Sequence, residues 1–102
     1  MNNSEKELNL PEEIDSLIHE PTRIMMISYL FVCDKADLIY FKRQTNLSWG
    51  NISTHASKLE KAGYIKINKE FRNKKPVTQL EITNKGREVF EDYRKTMRKF
   101  ID

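Results

Sequence analysis

The chain has 102 residues, 38% of them hydrophobic and 32% charged, with a formal net charge of +3, which suits one domain with one modest core. No apolar run approaches the roughly 20 residues of a membrane-spanning helix, and the opening MNNSEKELNL lacks the apolar stretch of a secretion signal, so a cytoplasmic location without a membrane partner is expected. A single cysteine, Cys33, excludes an internal disulfide, and its apolar neighbours predict a buried, inert thiol.

Charge is unevenly spread. Residues 1–20 carry one lysine against six acids, a net −5, whereas residues 58–75 carry seven bases against two acids, a net +5. A cationic block of this kind is the electrostatic footprint of a polyanion partner.

In chain order, residues 1–10 read as a flexible polar terminus, and 11–102 as a single domain. Pro11 can open a short helix with Glu12, Glu13 and Asp15 at its positive end. Ile14, Leu17 and Ile18 form an apolar stripe on that helix, which is too short to stand alone and must dock on the core or on a second subunit. Pro21 marks a second helix, whose Ile24–Val32 run is apolar almost all round and therefore central. His19 and Arg23, one turn apart, are read as structural. Residues 33–37 form a polar turn. A short helix from Leu38 to Thr45 follows, with Asp37 as cap, Leu38 and Phe41 inward, and Lys42 and Arg43 outward.

The segment 47–63, LSWGNISTHASKLEKAG, reads as a helix with both ends marked. Ser48 is a natural N-cap, and Gly63 falls at the left-handed position past the end. Ile52, Ala56 and Leu59 make a narrow apolar stripe. The opposite face carries Gly50, Ser53, Thr54, Ser57, Lys58 and Lys61: short polar groups and cations, suited to a DNA major groove, which admits one helix. Ser48, Trp49 and Asn51 complete the candidate contacts on this helix. Two helices joined by a tight turn, the second polar outside, is helix-turn-helix order.

After Gly63 the period changes from helical to alternating. Residues 64–69 and 77–82 predict two strands, joined through a basic tip in which Arg72, Lys74 and Lys75 could neutralise phosphates or enter a narrow minor groove. Thr83 caps a last helix, 84–101. Its apolar face (Val89, Phe90, Tyr93, Met97, Phe100, Ile101) runs on to the end of the helix and suggests pairing with another subunit. Gly86 in its first turn permits close packing.

Together these pieces resemble the small stand-alone winged helix-turn-helix regulators of the MarR/ArsR-like group. The resemblance rests on His19-Glu20-Pro21-Thr22-Arg23-Ile24, on Leu47–His55, on Leu59-Glu60-Lys61-Ala62-Gly63-Tyr64-Ile65, and on Leu80–Gly86 after the wing. It implies an α+β, mostly α fold with a two- or three-stranded β-wing over 64–82. It also implies a homodimer joined by its first and last helices, through Ile14, Leu17, Ile18, Phe90, Tyr93, Met97, Phe100 and Ile101. The Ser48–Ala62 helix would then enter the major groove of double-stranded DNA while the wing reaches the backbone or minor groove, and repression is the default regulatory outcome. Thr54 stands where relatives often carry a longer basic side chain. The alternative is a winged-helix module that docks on protein instead of DNA.

No catalytic residues are assigned. The phosphate-binding glycine patterns, the nucleophile elbow and the metalloprotease histidine pair are all missing from the sequence. One cysteine and two distant histidines give no metal cluster, so no cofactor is expected. A small-molecule effector is not specified by the sequence.

Overall fold

In the computed structural model, residues 15–101 are described. They form α1 (Pro21–Cys33), β1 (Lys35–Asp37), α2 (Leu38–Gln44), α3 (Trp49–Lys61), β2 (Ile65–Arg72), β3 (Lys75–Ile82) and α4 (Asn84–Ile101). The strands make one antiparallel sheet in the order β1-β3-β2. This is the mostly helical α+β winged arrangement expected.

α1, α3 and α4 each start at a side-chain cap. Glu20 caps α1, its carboxylate accepting from the Arg23 backbone N–H at 2.8 Å. Ser48 Oγ accepts from the Asn51 N–H at 3.1 Å and opens α3. At the other end of α3, Gly63 N–H donates to Glu60 O at 2.9 Å and Tyr64 N–H to Leu59 O at 3.0 Å. That paired closure needs a left-handed residue, and Gly63 supplies it with φ +84°. Thr83 caps α4 by accepting from Gly86 N–H at 2.9 Å, while its hydroxyl donates to Gly63 O at 2.6 Å. One side chain therefore ties the end of α3 to the start of α4.

The core draws on every helix and on β2 and β3. Met26, Ile27 and Leu30 of α1, Phe41 of α2, Ile52 and Leu59 of α3, and Leu80 of β3 are fully buried. Each such side chain contributes about 1.5–3 kcal/mol relative to exposure. Ile18, Phe90 and Tyr93 belong to this same core.

Four expectations are corrected. Within the described residues, Ser16–Ile18 is a turn and not part of a helix. Asp15 Oδ1 accepts from Leu17 N–H at 2.8 Å, a local bond that offers the backbone an alternative to helix. Ile14 and residues 1–13 lie outside the described residues. The supposed turn 33–37 contains β1, whose Ala36 pairs with Leu80. Cys33 is exposed, because the last turn of α1 emerges from the core, where Val32 is exposed as well. Asp37 precedes α2 without a side-chain cap bond; its carboxylate instead pairs with Arg72.

Candidate nucleic-acid interface

α3 and the β2–β3 hairpin flank two clefts: Ser53, Ser57 and Glu60 meet Lys69 and Thr78 at one, and Trp49 meets Pro76 and Val77 at the other. Along α3, Ile52, Ala56 and Leu59 are buried, and Trp49, Gly50, Asn51, Ser53, Thr54, Ser57 and Lys58 are exposed, as the helical period requires. Exposure does not make all of them equally available. Ser48 Oγ is committed to its cap. Thr54 Oγ1 donates back to Gly50 O at 2.8 Å, so its methyl group and its oxygen lone pairs, rather than its proton, remain for a partner. Trp49, half exposed at 50%, lies in the first turn with Lys42 Nζ 5.6 Å from its ring centre.

His55 and Arg23 hold α3 in place from below. Arg23, largely buried, donates from Nε to Leu17 O at 2.5 Å, and its Nη1 lies 2.9 Å from His55 Nδ1. Glu20 is 3.7 Å from the same imidazole nitrogen. His19 Nδ1 is 2.8 Å from the Tyr93 hydroxyl. Both histidines thus join elements of the fold. Among the described residues no group of three or more His, Cys, Asp or Glu side chains could hold a metal ion. No helix among them is long and apolar enough to cross a membrane.

The hairpin is longer and tighter than the sequence suggested. Its turn is two residues, Asn73 and Lys74, both left-handed at φ 51° and 66°. That is a type I′ connection matching the twist of the strands. Arg72 and Lys75 are therefore the last paired residues of the strands, not free loop positions. Arg72 is also occupied: its Nη2 lies 2.9 Å from Glu70 Oε1 and its Nη1 3.1 Å from Asp37 Oδ2. These carboxylates, Glu70 first, push the guanidinium pKa upward. Lys58, Lys69, Lys74 and Lys75 have no carboxylate within ion-pair distance among the described residues. The free positive charge at the ribbon end thus rests on Lys74 and Lys75.

Between α3 and the hairpin lies an open cleft of about 400 Å³, lined by Ser53, Ser57 and Glu60 from α3 and by Ile67, Lys69, Thr78 and Leu80 from the sheet. Lys69 and Thr78 were missed by sequence reasoning. The signal was present, because alternation along β2 and β3 places Ile65, Ile67, Lys69 and Phe71 on one face with Ile82, Leu80, Thr78 and Pro76.

At the dimer positions, Phe90 and Tyr93 sit in the chain's own core, Leu17 and Met97 are partly buried against it, and Phe100 and Ile101 are 50% and 74% exposed.

Residues 22–101 match the sequence model of a family described as the winged helix DNA-binding domain. An uncharacterized protein of Methanocaldococcus jannaschii is 30% identical over 77 residues, covering 76% of this chain and 84% of its own length. A transcriptional regulator homologue from Pyrococcus horikoshii OT3 is similar in structure, with a TM-score of 0.79 and 26% identity over 86% of this chain and 87% of that one. An ArsR family transcriptional regulator, 16% identical, shares the fold with a TM-score of 0.58, over 98% of this chain and 95% of its own.

Proposed function

This chain belongs to the winged helix DNA-binding domain family, and on that premise we propose that it is a homodimeric, sequence-specific transcriptional regulator of double-stranded DNA. The observation that supports this most is the cleft between α3 and the wing. Ser53 and Ser57 of the polar α3 face line it with Lys69 and Thr78 of the wing, whose end carries Lys74 and Lys75 without an ion-pair partner among the described residues. Asn51, Ser53, Thr54 and Ser57 read base edges or position the helix on phosphates, and Lys58, Lys74 and Lys75 neutralise phosphates.

The dimer forms through the outer half of α4. Its apolar stripe leaves the core after Met97, so Phe100 and Ile101 offer a partner what the described residues do not cover. Two copies then place two α3 helices about 34 Å apart on one side of a duplex. The regulatory sign is repression, because blocking polymerase requires nothing beyond occupancy of the promoter. The resemblance to the Pyrococcus transcriptional regulator homologue supports the regulatory role.

The test is selection of bound duplexes from a random pool at low salt, followed by sequencing. The proposal expects an inverted repeat with half-sites one helical turn apart. A protein that retains no duplex at low salt would instead be a protein-docking module. Phe100→Asp with Ile101→Asp is expected to convert the dimer to a folded monomer in sedimentation; an unchanged sedimentation coefficient would place the interface elsewhere.

A further inference from the structure

The wing carries an aromatic side chain that the fold itself does not use. Phe71 is the penultimate residue of β2, directly across from Pro76 of β3, and 76% of it is exposed. By strand alternation it belongs to the face that includes Ile65, Ile67 and Leu80, the face packed against α3. Along that face the pairs run from Ile65/Ile82 and Ile67/Leu80 in the core, through Lys69/Thr78 at the cleft, to Phe71/Pro76 beyond it. The ribbon thus extends its apolar face past the point where the core can cover it. A phenyl ring in that place is left largely uncovered by the described residues.

Its surroundings specify the partner. One residue further on come Arg72 and Lys75, then the turn with Lys74. An apolar tip framed by ammonium groups that have no ion-pair partner among the described residues complements a polyanion with an apolar interior accessible through a groove. Duplex DNA has that character, with phosphates along both edges of the minor groove and stacked bases at its floor. A ribbon end that brings an apolar side chain to such a groove can wedge it between base pairs, partly unstack them and bend the duplex. We propose that Phe71, backed by Pro76, is an apolar wedge that enters the DNA minor groove while Lys74 and Lys75 hold the flanking phosphates. The inference rests on the DNA-binding reading above and adds to it a DNA deformation. The wing would then select sequence through the ease of opening a flexible pyrimidine–purine step instead of through hydrogen bonds to bases.

The test uses the full-length chain and a mixed-sequence duplex. The duplex carries donor and acceptor dyes at its ends and a fluorescent aminopurine at TA steps. At low salt the wild type is expected to raise aminopurine fluorescence and to shorten the end-to-end distance, by a bend within about 20–90°. Phe71→Ala is expected to abolish the fluorescence rise and to reduce the bend, with the salt dependence of binding unchanged. Phe71→Leu, still an apolar wedge, is expected to restore most of both signals. Lys74→Ala with Lys75→Ala should do the converse, weakening salt-dependent binding while the bound fraction still shows unstacking. If the wild type binds duplex with no fluorescence rise or bend, or if Phe71→Ala behaves as wild type, the wedge is wrong while DNA binding stands. If the wild type binds no duplex at all, both readings fall. A change of oligomeric state in Phe71→Ala would overturn the wedge in favour of a subunit contact.

Discussion

Substituting Gly86 by alanine should damage the junction on which the candidate interface rests, and the structure gives the scale. An added Cβ would lie 2.1 Å from the Tyr64 carbonyl oxygen and 3.0 Å from both Tyr64 C and Ile82 Cγ1. Real Cβ atoms essentially never come within 3.0 Å of such neighbours, so the carbonyl must retreat by about 0.9 Å. That carbonyl also accepts from Thr83 N–H at 3.0 Å, and the retreat breaks this bond. Overpacking of about 1–3 kcal/mol plus a lost backbone bond of about 1 kcal/mol gives an expected cost of about 3 kcal/mol. For a domain of this size that lowers the melting temperature by on the order of 12–24 °C. Gly50→Ala is the matched control. It sits in the first turn of α3, where an added Cβ meets only Ser48 Oγ at an ordinary 3.8 Å, so alanine should stabilise, by less than the about 0.5–1 kcal/mol of a mid-helix site. Urea unfolding of both variants reads the two signs. A Gly86→Ala midpoint equal to wild type would refute the packing argument, as would a destabilised Gly50→Ala.

Three further outcomes are expected. Lys74 occupies the second left-handed position of the turn at φ 66°, so Lys74→Gly should raise stability by about 1 kcal/mol while weakening duplex binding; a drop in melting temperature would contradict the turn assignment. Burial and the hydrogen bond to Asp15 push the Tyr64 hydroxyl up to about 12 from an ordinary 10.0, so the folded chain holds that proton more tightly than the unfolded one. The associated stability is complete below pH 10 and is lost as pH rises towards 12. Tyr64→Phe should cost about 1–2 kcal/mol at neutral pH and flatten that alkaline decline in chemical denaturation; an equally steep decline would assign it to other tyrosines. Cys33, exposed at the end of α1, should react stoichiometrically with a thiol reagent in native buffer, and protection until denaturant is added would refute its exposure.

How far the sequence carried depended on how local each cause was. Ser48 and Gly63 marked both ends of α3 because capping is settled within a few residues, and the stripe of Ile52, Ala56 and Leu59 then set which face is outward. β1 was invisible for the opposite reason. Three residues, Lys35, Ala36 and Asp37, have no alternation to read and become a strand only by pairing with Gln79–Glu81, far along the chain. Cys33 was misjudged because apolar neighbours do not reveal where a helix leaves the core. The hairpin's charge was legible, but its distribution was not: only the folded geometry shows that Arg72 is drawn to Glu70 and Asp37 while Lys74 and Lys75 have no ion-pair partner among the described residues. Phe71 escaped notice because it fell in the predicted connection between the strands, and only the pairing with Pro76 puts it on the inner face of the ribbon.

The most direct test of the account is the salt dependence of duplex binding, measured as log affinity against log salt for the wild type and for Lys74→Ala with Lys75→Ala. The account predicts a steep negative slope for the wild type and one shallower by about 0.9 for each phosphate contact removed. Identical slopes for the two proteins would contradict it.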